Sequence, residues 1–335
     1  MRKPFVSRFA ALGMLLGLVA MGCAQGPTAR CIPVKHVGAD RDPAPARICH
    51  ENGAQKPLAH VELEGGVIYV DFDPDDYEIP RDVLWKWITD GGRAVAAYYG
   101  RFPVPRCMLK ITPAHGRGAR WGQATGAGKM PTVSMVLGRQ SKPDDLAEDW
   151  TLTHELIHVA FPNMKRQHLW IEEGLATYVE PIARFKMGLI SEESVWYEWL
   201  HSMAQGQPEE GDRGLDFTPS WGRVYWGGAL FALVADVAIR RETNNRVGLR
   251  QALRGIVDAG GSMSVWWSIT DAFAAGDRAT QTHLLMNEYK KRRADPAPVD
   301  LDSLWTNLGV RLENGHVVLD NQAPWAASRR AILRD

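Results

Sequence analysis

The sequence predicts an α+β protein in which a small sheet carrying one helix is followed by a mainly helical lobe. Three observations point there. Short runs rich in β-branched and apolar residues, separated by glycine-bearing turns, occupy the stretch from His60 to Gly138. One long stretch with helical periodicity, Pro80 to Gly100, lies among them. From Lys142 onward the apolar spacing is almost entirely helical. The chain has 335 residues, enough for one large domain or two lobes with a real core.

The elements follow in order. "GVIYVDFD" reads as a strand. "PRDVLWKWITDGGRAVAAYYG" reads as a helix, with Pro80 at its start and Val83, Trp87, Val95 and Tyr98 among its apolar positions; the Gly91-Gly92 pair is a point where it can break. "RCMLKIT", "ARWGQAT" and "PTVSMVLG" read as three further strands, the last two joined by the glycine-rich turn "GAGKM". "PTVSMVLG" is expected at the edge of the sheet. "PDDLAEDWTLTHELIHVAFP" reads as one helix, with Pro143 and early acids at its N-terminal end and Pro162 as its stop. Trp170 to Glu180 and "VYWGGALFALVADVAIRRETNN" read as two more. The chain carries 13 Trp, a residue that fills cores or lines clefts; Trp266 and Trp267 are expected in the core.

Charge excludes one class of function. Lys plus Arg and Asp plus Glu each number 39, and no long basic run exists, so the sequence has no electrostatic footprint for nucleic acid. No Gly-x-Ser-x-Gly segment and no phosphate-binding loop is present. The first residues, "MRKPFVSRFAALGMLLGLVAMGC", place Arg2, Lys3 and Arg8 before an apolar run from Phe9 to Met21. That run is short for a membrane span but suits a secretory signal. Its end, "AMGC", resembles the lipobox of bacterial lipoproteins, with Ala20 where leucine is usual. The resemblance implies a lipidated N-terminus at Cys23, and Ala24 favours the outer membrane; ordinary cleavage near the same place is the alternative, and both readings export the protein. In an oxidising compartment Cys31 then pairs with Cys49 and Cys107 stays free, whereas an unlipidated Cys23 would leave four cysteines and three possible pairings.

The chemistry concentrates in "HELIHVAFP". At 3.6 residues per turn, His154 and His158 project from one helical face, one turn apart, where two imidazoles can reach one zinc ion. Glu155 sits on the adjoining edge, placed to contact a water without holding the metal. A third protein ligand must come from elsewhere, and "LWIEEGLATYVE" follows after only a short loop.

HELIH followed by W-x-x-E-G-x-A/T-x-Y resembles the gluzincin metallopeptidases. The resemblance implies a thermolysin-like zincin core, Zn2+ as cofactor, and Glu173, the glutamate before Gly174, as third ligand; Glu172 would be exposed or support the ligands from behind. It also implies that Glu180 hydrogen-bonds near a zinc histidine, the alternative being a solvent-facing acid. "VYWGGAL" resembles the Y-x-x-G-A-L helix of the glycyl aminopeptidase family, which implies that Tyr225 assists the tetrahedral intermediate; the alternative is a core tyrosine. The resemblance runs from about Lys142 to the C-terminus. No G-x-M-E-N-type segment is present, and "GQATGAG" is a loose stand-in.

The organisation expected is therefore a signal peptide at 1–22, a tether with a disulfide loop at 23–57, a sheet-containing lobe at 58–141 and the zinc-binding helices with their helical lobe at 142–335. The function expected is an exported zinc peptidase acting on peptides or proteins, with Glu155 as base and no nucleic-acid partner. An aminopeptidase limited to short peptides and a catalytically silent envelope lipoprotein are the rivals. If Cys23 is the anchor, mature protein from the native host begins at Cys23 and partitions with membranes. Cys23→Ser should release a soluble form or stall processing, and mature protein retaining Met1 would contradict the assignment.

Overall fold

Alternating burial marks the central strands of the sheet. In the computed structural model, which describes residues 30–33, 47–50 and 59–335, the strands are β1 (Arg30–Pro33), β2 (Arg47–His50), β3 (Ala59–Leu63), β4 (Gly66–Asp71), β5 (Arg106–Ala114), β6 (Ala119–Thr125) and β7 (Thr132–Gly138). They form one seven-stranded sheet in the order β1-β2-β3-β4-β5-β7-β6. β1 to β4 pair antiparallel in succession, and the backbone register sets Cys31 opposite Cys49. The expected disulfide concerns side chains outside the described residues, as do the signal segment, Cys23 and most of the tether. Cys107 is a free, buried thiol whose pKa burial pushes up to about 12.

Helix α1 (Arg81–Tyr99) carries the chain from β4 to β5, and these two strands pair parallel. It runs through Gly91-Gly92 without a break. A Cβ on Gly92 would lie 2.8 Å from Leu63 Cδ1, and one on Gly91 would lie 3.1 Å from Leu152 Cδ2. The pair marks the places where the sheet and a later helix press closest on α1, and that packing offsets the poor helix propensity of glycine.

The edge of the sheet differs from expectation. β7 pairs parallel with β5 on one side and antiparallel with β6 on the other, so "PTVSMVLG" is interior and "ARWGQAT" is the edge strand. Composition explains the arrangement. Val133, Met135 and Leu137 of β7 are all buried, whereas β6, apart from the exposed Trp121, is made of small, polar and basic residues that tolerate a solvent-facing side.

The segment read as one helix is two, α2 (Pro143–Ala147) and α3 (Thr151–His158). Asp149 is the cause. Its carboxylate accepts the Thr151 and Leu152 N–H groups, each at 3.1 Å, and the Trp87 indole N–H at 2.9 Å. It thereby starts a new helix and pins it to α1. The helical lobe continues with α4 (Leu169–Lys186), α5 (Glu192–Ser202), α6 (Gly228–Glu242), α7 (Leu249–Asp258), α8 (Ile269–Thr280), α9 (Leu284–Arg292), α10 (Leu301–Leu308) and α11 (Ala326–Arg334). A two-stranded hairpin, β8 (Val310–Glu313) with β9 (His316–Leu319), interrupts this lobe. Among the described residues no helix is long and apolar enough to cross a membrane.

α4 is the central post, packed against α1, α3 and α6. Its approach to α6 is backbone on backbone: a Cβ on Gly174 would lie 2.3 Å from the Gly228 Cα, and a Cβ on Gly228 would lie 2.0 Å from the Trp170 carbonyl oxygen. Neither position holds a side chain unless the helices separate. Gly174→Ala should therefore cost about 1–3 kcal/mol of stability, the usual range for overpacking. Denaturant unfolding measures this, and wild-type stability in the variant would show that α4 and α6 can part freely.

Candidate metal centre

Helix spacing brings the first two donors together. His154 and His158 lie on one face of α3, both buried, with ring centroids 5.0 Å apart. The third donor comes from the second turn of α4, which returns through the loop 159–168. Glu173 Oε2 lies 3.2 Å from His154 Nε2 and 3.5 Å from His158 Nε2. All three donor atoms fall within 4.8 Å of one another.

The donor set fits zinc. Tetrahedral zinc with arms of about 2.0–2.1 Å needs donors about 3.3 Å apart, and imidazole nitrogen with carboxylate oxygen is a normal ligand mixture. The three groups meet at Glu173 Oε2. Burial works against the charged forms, but the Glu173 hydrogen bond and charge still push the His158 imidazolium up to about 9. Burial lowers His154, and the two imidazoles hold the Glu173 carboxyl far below its usual range against its own desolvation.

Glu172 points elsewhere. Its carboxylate accepts the Met164 N–H at 2.8 Å, which fastens the loop between the two helices. Glu155 is buried against the edge strand: it accepts the Ala124 N–H of β6, and burial raises its pKa. A Cβ on Gly122 would lie 2.5 Å from Glu155 Cγ, so only glycine lets β6 pass this close.

Tyr225 lies in a single π-helical turn, Arg223–Gly227, which leads into α6. Such turns re-aim a side chain within a helix and recur at functional sites. Its ring stacks beside His154 at a centroid distance of 6.3 Å. Its hydroxyl donates to Glu173, and burial together with the Glu173 and Glu155 charges pushes its pKa up to about 12.

Glu180 stands apart from this cluster. It is buried, accepts from Arg184 Nη1 at 3.1 Å, and is pushed up to about 8, chiefly by burial. Among the described residues it has no hydrogen bond to His154 or His158. The Arg184 guanidinium also donates to the Ala147 and Glu148 carbonyls, so the pair ties α4 to the α2–α3 turn. His168 likewise serves packing. It meets Asp216 at 2.9 Å, and the same buried carboxylate accepts from Trp170 Nε1 and Tyr289 Oη. These bonds hold the first turn of α4. Trp266, expected in the core, is 62% exposed in a loop that bridges to Asn163.

Asp149, which sets the start of α3, carried no distinct signal in the sequence. Gly122 and Ala124, which belong to the "GQATGAG" segment, form the wall beside Glu155. The glycine inside an otherwise regular strand was the available signal, since such a glycine marks a close approach.

No protein-family profile matches the chain, and no curated protein matches it at a significant level. Solved structures do. An aminopeptidase N family protein from Idiomarina loihiensis superposes with a TM-score of 0.56 at 11% identity, over 85% of this chain and 56% of that one. An M1 zinc metallopeptidase from Deinococcus radiodurans aligns over 81% of this chain and 62% of its own length, at 13% identity and a TM-score of 0.43. The first likeness shows the fold alone, an α+β core shared with that protein, and this chain spans little more than half of it.

Because Glu173 joins the cluster and Glu172 does not, Glu173→Ala should sharply weaken zinc binding while Glu172→Ala retains the metal. Competition with a zinc chelator reads both affinities. Equal loss in the two variants, or loss in Glu172→Ala alone, would reverse the assignment.

Proposed function

We propose that the protein is a zinc-dependent peptidase. The observation that carries this reading is the convergence of His154, His158 and Glu173, with Glu155 and Tyr225 beside them, on a zincin fold. The two imidazoles and one carboxylate would hold Zn2+, which when bound supplies the Lewis acidity that makes water a nucleophile near neutral pH.

The chain's own residues do the rest. Glu155 takes the proton of the attacking water and passes it to the leaving amine. Its raised pKa suits both halves of that transfer, since a base too acidic would hold the proton poorly. Tyr225 stays protonated at neutral pH, so its hydroxyl can turn from Glu173 to donate to the developing oxyanion. β6 pairs on one side only among the described strands, and its outer edge can align an extended substrate by backbone hydrogen bonds.

The reading favours cleavage within peptides. A free N-terminal amine needs an acidic partner in the cleft, yet neither "ARWGQAT" nor the turn "GAGKM" carries Asp or Glu, and Glu172 already binds Met164. Peptides with blocked N-termini should therefore be cleaved at least as well as free ones; strict dependence on a free amine would instead favour the aminopeptidase reading. Export and anchorage through Cys23 belong to the same proposal and place the substrates in the envelope or outside it.

Glu155→Gln and Tyr225→Phe separate the chemistry from the metal. Both should fold and hold zinc. Glu155→Gln should lose turnover by about 10²–10⁴-fold or more, and Tyr225→Phe should lose about 10²–10³ in kcat with a smaller change in KM. Wild-type turnover in Glu155→Gln would contradict the mechanism, and full activity in Tyr225→Phe would return that tyrosine to a packing role.

A further inference from the structure

Four aromatic rings run in contact across the candidate site. The Trp150 indole meets the His154 ring edge-on at 5.4 Å; His154 and Tyr225 lie 6.3 Å apart at 25°; Tyr225 and Trp221 lie 5.7 Å apart at 28°. The two inner rings belong to the proposed metal ligand and oxyanion donor. The two outer rings are open to solvent, Trp150 by 53% and Trp221 by 62%.

Local structure does not require either indole. Asp149 already accepts the first N–H groups of α3, so the residue after it is free to be anything. Trp221 precedes Tyr225 by one helical turn and shows most of its surface to water. Six other tryptophans, Trp87, Trp170, Trp196, Trp199, Trp226 and Trp305, are buried in the ordinary way. Two more exposed ones do not join the row: Trp121 alternates with Gly122 on β6 and so faces away from Glu155, and Trp266 sits on the loop beside Asn163.

We infer that Trp150 and Trp221 are specificity-determining residues, which hold large apolar or aromatic side chains of a peptide on either side of the bond to be cleaved. The inference rests on the peptidase reading for the nature of the ligand. Each indole already has one contact within the site and offers its remaining apolar surface beside it. A flat or branched apolar side chain gains from covering that surface, whereas an alanine or a carboxylate gains almost nothing. The row also fixes where these side chains sit, because one indole is anchored to the proposed metal ligand His154 and the other to the proposed oxyanion donor Tyr225.

The test separates recognition from turnover. Full-length Glu155→Gln protein, loaded with zinc, is titrated by calorimetry with acetylated and amidated nonapeptides that differ only in a central Phe-Leu, Ala-Ala or Lys-Lys pair. The Phe-Leu peptide should bind at least about tenfold more tightly than the Ala-Ala peptide, in line with the discrimination that apolar pockets achieve. Adding Trp150→Ala or Trp221→Ala should remove most of that preference with zinc content unchanged, and Trp150→Phe or Trp221→Phe should restore part of it. Tyr197→Ala, at an exposed aromatic of α5, should change nothing. Equal affinity for Phe-Leu and Ala-Ala, a preference for Lys-Lys, no binding of any peptide, tighter binding of an N-acetylglucosamine oligosaccharide, or a preference that survives both alanine substitutions would each overturn the inference. Failure of the peptidase reading is distinct: selective binding to Glu155→Gln together with no cleavage by the wild-type zinc protein.

Discussion

The candidate site depends on two helices meeting at a fixed distance. α3 supplies both imidazoles, α4 supplies the carboxylate, and the donors converge only if α4 keeps its place. Gly174 and Gly228 fix that place by letting the backbones of α4 and α6 touch. Asp149 fixes the start of α3, and Asp216 holds the first turn of α4 through His168 and Trp170. The glycine after Glu173 is thus as much a part of the centre as the ligands. It carries no chemistry, but a methyl group there would move the carboxylate.

Burying three ionisable groups and half-burying a fourth in one place is unfavourable unless they are compensated. Here His154, His158 and Glu173 neutralise one another through Glu173 Oε2, and Glu155 is held by a backbone N–H of β6. A divalent ion held by the three donors would replace this mutual compensation with stronger bonds. Tyr225 bridges the two parts of the site, lying against His154 and donating to Glu173 from a π-helical turn.

The sequence made the centre legible because its donors obey short-range rules. His154 and His158 are one helical turn apart, and the short loop to Glu173 is enough to bring the chain back over them. The sheet was legible as strands but not as an order. Whether "PTVSMVLG" or "ARWGQAT" lies at the edge depends on pairing between β5 and β7, which local pattern does not encode, although the buried alternation of β7 against the polar make-up of β6 pointed the right way. The break between α2 and α3 was hidden because Asp149 reads equally well as an early helical acid and as a cap. Trp150 and Trp221 gave no signal that they were exposed, since a tryptophan before an apolar helix reads as core until the neighbouring elements are placed.

The central claim is that His154, His158 and Glu173 hold one metal ion. Anomalous diffraction from crystals of the purified protein, measured on both sides of the zinc absorption edge, tests it directly. The account requires a single peak among the two imidazole Nε2 atoms and the Glu173 carboxylate, present above the edge and absent below it. A zinc-supplemented crystal with no peak at these three residues, or with its peak at other side chains, would contradict the claim.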